Sequence, residues 1–552
     1  MKKYLLFLLS LLSLLAYSQN DLVNARLIQP TSTIGNFSQS YIHHLNSSKN
    51  ELFITTLSTG FSEYFGLSNG AEDRYYISRI GLDGSPKWNA TIYGAQKLNL
   101  QNSSQDFSAV DKEDNIYVLC SPNNLNSYFV DAIGTSVNFY DNFQMLLKIN
   151  KEGKLIWKKN YQAFSAGVSI DNNNDVYLYG TGLTLTNEAK NFSLIKLNGQ
   201  TGNEIYVKDD FNLTQFQFVT TFDNHNNLYV FTEPVASSAD NTFSVGTLNI
   251  SLNNEGFNNI MLKFDVDGNI VFGKNFYPVN TNLPSYSWIN DAKFDGERIV
   301  LNGNYLTTDK NSKFLGIGGV VIDNQYNRNY AGLIAKINLN GTVEWEKDIQ
   351  SSQGLSLGIY TNIDLDDEQN IYGYFGYKER IMYNGTEYIF NSLEDERVIT
   401  KLDRDGNLKY FKSIDQSLPN NQNVYYYNLI DVIGEDYFNC LGNTSKNDFL
   451  TIPLYNQGSR KMYVATFKNY NLSTESAQIV NFKIYPNPTS DFLNVRTEQI
   501  INKIEILDAD GRLLKSKTCN VSSLNISELS KGLYFIKIYT PQKIINSKFI
   551  KN

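Results

Sequence analysis

Apolar and polar residues alternate with period two along nearly the whole chain, in short runs broken by Asn, Asp and Gly, which predicts many short strands. One stretch, 145–160 (MLLKINKEGKLIWKKN), recurs, giving copies centred on Gly84, Gly153, Gly202, Gly268, Gly341 and Gly406. Four residues after each glycine stands an aromatic: Trp88, Trp157, Tyr206, Phe272, Trp345 or Tyr410. Five before it, in five copies, stands a base: Arg79, Lys148, Lys263, Lys336 or Lys401. The Gly202 copy has one more loop residue, so its Lys196 lies six back. With Asn150, Asp265, Asn338 and Asp403 three before their glycines, each copy reads as a hairpin with a type I turn and a left-handed glycine. In that register Ile149 faces Leu155, and strict alternation puts the aromatic on the same face. The base then points the other way, its stem over apolar surface and its ammonium in water.

A second hairpin precedes each of these. An Asp opens its turn and Tyr follows six residues on, in Asp111/Tyr117, Asp171/Tyr177, Asp223/Tyr229, Asp366/Tyr372 and Asp431/Tyr437. Degenerate copies begin at Asn46 and Asp295. This makes seven first hairpins and six second ones, with a lone strand at 460–469 and another at 22–29 that has no partner of its own. A four-stranded unit repeated in this way predicts a seven-bladed β-propeller whose last blade is closed by the N-terminal strand. The two-hairpin unit resembles the bacterial seven-bladed propeller repeats over about 22–470, which implies an architecture and no activity. The a–b and c–d turns are short. The b–c connections near 57–74, 122–143, 232–257, 306–329, 376–395 and 443–458 are long, and 181–190 is short. The long ones read either as binding loops on one face or as an extra hairpin per blade.

Composition narrows the setting. The 552 residues open with two lysines, a short apolar run and Ala16-Tyr17-Ser18, read as a secretory signal peptide over 1–18. No later run approaches a membrane span, so no transmembrane anchor is expected. The net charge of −8, without a basic cluster, argues against a nucleic-acid partner. Cys120, Cys440 and Cys519 are too few for a disulfide framework, and Cys120 and Cys440, on blades two and seven, are expected to be free.

A polar linker at 471–481 separates the propeller, 22–470, from 482–552, where short alternating strands predict a small β-sandwich of Ig-like form. This tail resembles the type-A C-terminal sorting domain of the type IX secretion system of Bacteroidota. The matching residues are Tyr485-Pro486-Asn487-Pro488, Leu493, Val495, Asp510-Gly511, Gly532-Leu533-Tyr534 and the basic-apolar end with Lys548 and Lys551. The resemblance implies partners in the type IX machinery, its sortase-like peptidase among them, and delivery to the outer-membrane surface or the medium.

Motifs for chemistry mostly fail on context. Gly354-Leu355-Ser356-Leu357-Gly358 runs straight into a strand, whereas a nucleophile elbow needs a helix after it. Asp265–Asn269 and Asp403–Asn407 resemble calcium loops, but the twelfth position is Phe276 or Ile414 where a bidentate glutamate is needed. Adjacent His43 and His44 point to opposite faces of a strand, away from a shared metal. No catalytic residue, metal site or cofactor is assigned. Trp288, placed at a d–a crossover, and Tyr128, Tyr326 and Tyr388 in the b–c segments are candidates for a glycan or protein ligand on the long-loop face. The reading is an exported binding or adhesion propeller. The alternatives are a polysaccharide hydrolase or lyase, which needs carboxylates converging on the channel, or a structural surface component.

Overall fold

The computed structural model describes residues 22–27, 36–44, 51–59, 63–64, 67–68, 74–81, 85–93, 108–120, 127–139, 144–161, 165–181, 192–211, 218–233, 242–252, 258–276, 285–307, 309, 311–327, 330–351, 362–377, 380–389, 396–414, 429–434, 437–444, 448–449, 452–453, 461–468, 482–497, 501–508, 512–518, 523–539 and 544–552. The signal segment, the linker, Gly511, Cys519, Tyr140 and the Gly354–Gly358 motif lie outside them. The chain divides into two compact units, Met1–Leu472 and Ser473–Asn552.

In the first unit, four-stranded antiparallel meanders follow one another in sequence. Blade two, for example, is Ser108–Val110, Ile116–Cys120, Gln144–Ile149 and Leu155–Tyr161. The first strand of each blade lies against that of the next, through all seven blades and back to the first, so the ring is a closed seven-bladed propeller. Closure uses both ends of the unit. Leu22–Leu27 pairs with Lys461–Lys468, Ala25 opposite Ala465, as the outermost strand of blade seven. Cys120 and Cys440 are buried thiols outside any disulfide, on the second strands of blades two and seven.

The second hairpins turn as expected at their tips. Asn150 N–H donates to the Lys154 carbonyl at 2.9 Å, and Gly153 has φ +84°. Ile149 faces Leu155. Beyond that pair the structure departs from strict alternation: Ile156 is an extra residue, so Trp157 stands opposite Lys148. The aromatic and the base therefore share a face, and the lysines are not solvated. Lys148, Lys196, Lys336 and Lys401 are all buried. Each ammonium meets the aspartate that opens its own blade's first hairpin: Lys148–Asp111 at 3.7 Å, Lys196–Asp171 at 3.2 Å, Lys336–Asp295 at 2.8 Å and Lys401–Asp366 at 3.2 Å. Lys263 approaches Asp223 at 3.9 Å in the same way, and in blade one Arg79 pairs with Glu51. The repeat tyrosine completes the group. Tyr117 O–H donates to Asp111 at 2.8 Å, and its ring lies 5.2 Å from the Lys148 ammonium.

The same side chains reach the next blade. Lys148 and Trp157 donate to the Gly199 carbonyl in the blade-three turn at 2.8 and 3.1 Å, and the Tyr117 hydroxyl oxygen lies 3.2 Å from it. The repeat glycine answers this contact. A Cβ on Gly153 would come within 2.4 Å of Ala132 and 2.8 Å of the Trp88 ring from blade one. Trp157, Tyr206 and Trp345 lie equally close over Gly202, Gly268 and Gly406. Glycine is needed there twice, for the left-handed turn and for the neighbour's ring.

Every long b–c connection contains a hairpin. Tyr128–Val130 and Ser136–Asn138 extend the outer edge of blade one, and Arg380–Tyr383 with Thr386–Ile389 extends blade five. The aromatics in these segments, the ligand candidates among them, are packed. Phe129 is fully buried, Tyr128 stacks on Tyr93 at 4.5 Å, and Tyr388 meets Phe411 edge-on at 5.0 Å. Tyr326 O–H donates to Glu387 at 2.9 Å. Pairing a hairpin with an outer strand removes an open sheet edge, so these aromatics became part of the rim's packing.

Removing one partner of a buried pair strands the other charge, so Lys401→Met is expected to lower the unfolding free energy by about 3–5 kcal/mol in urea titrations. Gly153→Ala should cost about 1–3 kcal/mol through strain and overpacking. Lys151→Met, at an exposed turn position of the same hairpin, should stay within about 1 kcal/mol of the parent.

Candidate functional site

The innermost strand of each blade is also a sheet edge, and its outward N–H groups need acceptors. On blades four to seven the sequence supplies carboxylates and an amide. Glu233 accepts from Ile289 N–H at 3.2 Å, Asp291 from Ile363 N–H at 3.0 Å, and Asp364 from Val432 N–H at 2.7 Å. Asn362 both accepts from and donates to the Ile430 backbone at 2.9 Å. The bonds of Asp291, Asn362 and Asp364 tie one innermost strand to the next, whereas Glu233 reaches blade five from the end of the second strand of blade four, Leu228–Thr232.

Not every acid that opens a first hairpin in the sequence pattern lies in a turn. Asp111, Asp171, Asp223 and Asp366 do. Asp431 instead sits within the innermost strand Leu429–Ile433, opposite Asn439, whose amide donates to it at 3.5 Å. Burial, then the charge of Asp364, pushes the Asp431 carboxyl well above the usual carboxylate range. Asp291 is raised as well, by burial above all, with the Lys293 ammonium 3.8 Å away opposing the shift. Glu233 is raised by burial. The innermost strands of blades five to seven thus carry three carboxylates, and among the described residues no group of His, Cys, Asp and Glu is arranged to hold a metal ion.

Trp288 is not in a crossover. It lies within the innermost strand Ser285–Phe294 of blade five, half-buried and opposite Asn304. Tyr128 lies on the hairpin that extends blade one and Tyr388 on the one that extends blade five, where the Tyr326 hydroxyl reaches Glu387; the structure brings Tyr326 near Tyr388 but does not bring the four together. On the opposite, short-turn face a cleft of about 610 Å³ opens between blades two and three, lined by Glu113, Lys151, Glu152 and Gln200 among others. Sequence reasoning missed both places. Asp291 and Asp364 lie outside the Asp-to-Tyr spacing that drew attention to the other acids.

The second unit packs a three-stranded sheet against a four-stranded one around Leu493, Ile504, Ile506, Tyr534, Ile536 and Phe549. The segment Tyr485-Pro486-Asn487-Pro488-Thr489 lies along the last strand, Ile544–Lys551. Ile550 N–H donates to the Asn487 side chain and Thr489 N–H to the Ile550 carbonyl, both at 2.9 Å, and Asn552 N–H donates to Thr489 at 2.9 Å. The motif therefore closes the free edge of the C-terminal strand. Tyr534 O–H donates to the Ser530 carbonyl at 2.7 Å. Lys548 and Leu533 are exposed, while Lys551 is buried.

Because folding raises the pKa of Asp431, its protonated form stabilises the fold. That contribution is complete below about pH 4 and is lost as pH climbs through the raised folded-state value. Asp431→Asn should therefore gain stability relative to the parent progressively from about pH 4 towards pH 8, measured by denaturant titration at each pH. A difference that stays flat with pH would refute the placement of this carboxyl.

Comparison with curated proteins finds no match. Among solved structures, similar chains include the oligogalacturonate lyase of Vibrio parahaemolyticus, at 12% identity, 80% coverage of this chain, 93% of that one and TM-score 0.37. A protein of unknown function from Dyadobacter fermentans gives 9%, 81%, 99% and 0.35, and an ulvan lyase gives 9%, 72%, 89% and 0.35. Residues 483–552 match the secretion system C-terminal sorting domain family. The tail of this chain is a type IX sorting domain, and the protein is one exported to the cell surface or the extracellular space.

Proposed function

We propose that the propeller is a non-enzymatic binding module displayed on the cell surface, with the sorting tail as its address. The observation that carries this reading is the commitment of the channel acids. Asp291 and Asp364 each spend an oxygen on a backbone N–H of the next blade, which a displaced substrate proton would have to contest. Acids fixed in that way serve the ring better than they serve turnover. The ligand is a glycan or a protein, and Trp288, half-buried within an innermost strand, is the candidate aromatic carried by the inner ring. Export involves the type IX machinery and its sortase-like peptidase.

A second reading rests on one carboxyl. The Asp431 carboxyl, raised by burial and by the charge of Asp364, is of the kind a general acid needs. Under that reading the protein is a polysaccharide hydrolase or lyase. The two readings part on a panel of glycans presented to the mature protein. Binding without chain cleavage, weakened at least about tenfold by Trp288→Ala at unchanged melting temperature, is expected for the module. Cleavage abolished by Asp431→Asn would establish the enzyme instead.

The address is tested separately. A chain ending near residue 470 should fold and remain in the periplasm of a host with this secretion system. Surface display equal to that of the full chain would overturn the assignment of the tail.

A further inference from the structure

The four-stranded sheet of the sorting unit has one face packed in the sandwich core and one face turned outward. Pairing register divides the outward face into two halves. In one half, Lys503 and Tyr539 both engage Glu505, at 2.5 and 2.6 Å, with Lys537 opposite Glu505. That half is polar, as a solvated sheet face should be.

The other half is apolar. Leu513 faces Leu507, Leu507 faces Phe535, and in the next row Leu533 faces Ile550. Leu513 is 51% exposed, Phe535 41%, Leu533 46% and Ile550 47%. These side chains form one continuous patch on neighbouring strands, unlike the isolated surface apolar residues that any protein carries. Its border is basic. Lys548 stands opposite Phe535 on the last strand, Lys531 precedes Gly532, and both are exposed. The nearby Asp508 carboxylate is matched by Arg512 at 3.7 Å.

We propose that this patch is the surface by which the sorting unit docks on a protein component of the export machinery, one presenting an apolar centre with an acidic border. The proposal rests on the sorting assignment of the tail, which requires the unit to be read by a partner. The basic border selects a complementary acidic one, and the patch abuts Asn487 and Thr489, which hold the edge of the Ile550 strand. The polar half of the same face takes no part.

The test uses the full chain in a host with a type IX system. Leu533→Thr with Phe535→Thr should cut the surface-displayed fraction about tenfold or more and leave intact protein in the periplasm. Thermal unfolding of the purified variant should match the parent. Lys548→Glu, which touches no core residue, should reduce display as well, and Lys537→Ser in the polar half should not. Parental display by the folded double variant and by Lys548→Glu overturns the patch. Parental chains that dimerise at micromolar concentration through this face, with variants that stay monomeric and display normally, also overturn it in favour of a second copy. A chain without residues 473–552 is the reference. If it is displayed normally, the sorting assignment itself fails and the patch falls with it; if it is retained while the patch variants are displayed, only the patch is wrong.

Discussion

The structure depends on a lysine ammonium that cannot reach water. Burial lowers the pKa of Lys148, and the Asp111 and Glu113 charges oppose that shift, so the ammonium persists only where it is surrounded by acceptors. The blade supplies Asp111, and the neighbouring blade supplies the Gly199 carbonyl. A pair of this kind adds little net stability compared with apolar packing, because both charges lose their hydration. What it does provide is register. The ammonium is satisfied only when its own first hairpin and the next blade's second hairpin are both in place, so one side chain reports two alignments. Arg79 of blade one meets the same two demands, through Glu51 and the Lys151 carbonyl of blade two, so the geometry of blades one and two is conditional on that of the next blade.

A second constraint is the management of sheet edges. A propeller built from separate meanders has an inner and an outer edge on every blade. The inner edges of blades five to seven are capped by Glu233, Asp291, Asn362 and Asp364 acting on backbone N–H groups of those strands. Outer edges of blades one and five are extended by b–c hairpins, and the outer edge of blade seven is the chain's own N-terminal strand. The sorting unit meets the same problem on a smaller scale and solves it with Asn487 and Thr489. Residues that look like chemistry in the sequence, acids in a channel and a polar motif among prolines, are in both units first of all hydrogen-bond partners for exposed backbone.

This bears on how function is distributed. The short-turn hairpins are held by the Asp–Tyr–Lys groups and by rings lying on glycines, which leaves little freedom for change there. The innermost strands differ from blade to blade, since Asp291 and Asp364 have no counterparts fixed by the repeat and Asp431 leaves the turn that its counterparts occupy. Variation of that kind on a rigid scaffold is where recognition is built.

Much was legible in the sequence because it depends on local pattern. The spacing of glycine, aromatic and base set the hairpins, and counting them set seven blades and the closing role of 22–29. The tail was legible through Tyr485–Pro488 and the Gly532-Leu533-Tyr534 run. What the sequence did not disclose was anything that needed two distant segments. One bulge residue, Ile156, turned Trp157 towards Lys148, and no spacing shows that an Asp thirty-seven residues earlier waits on the same face. Tyr128 looked free until its hairpin was seen paired with blade one. Asp431 fitted the turn pattern, yet its strand continued past it. Period and turn chemistry are carried by neighbours in the chain, so the sequence determined the blades. Burial, charge pairing and edge capping are settled between blades, and only the closed ring could decide them.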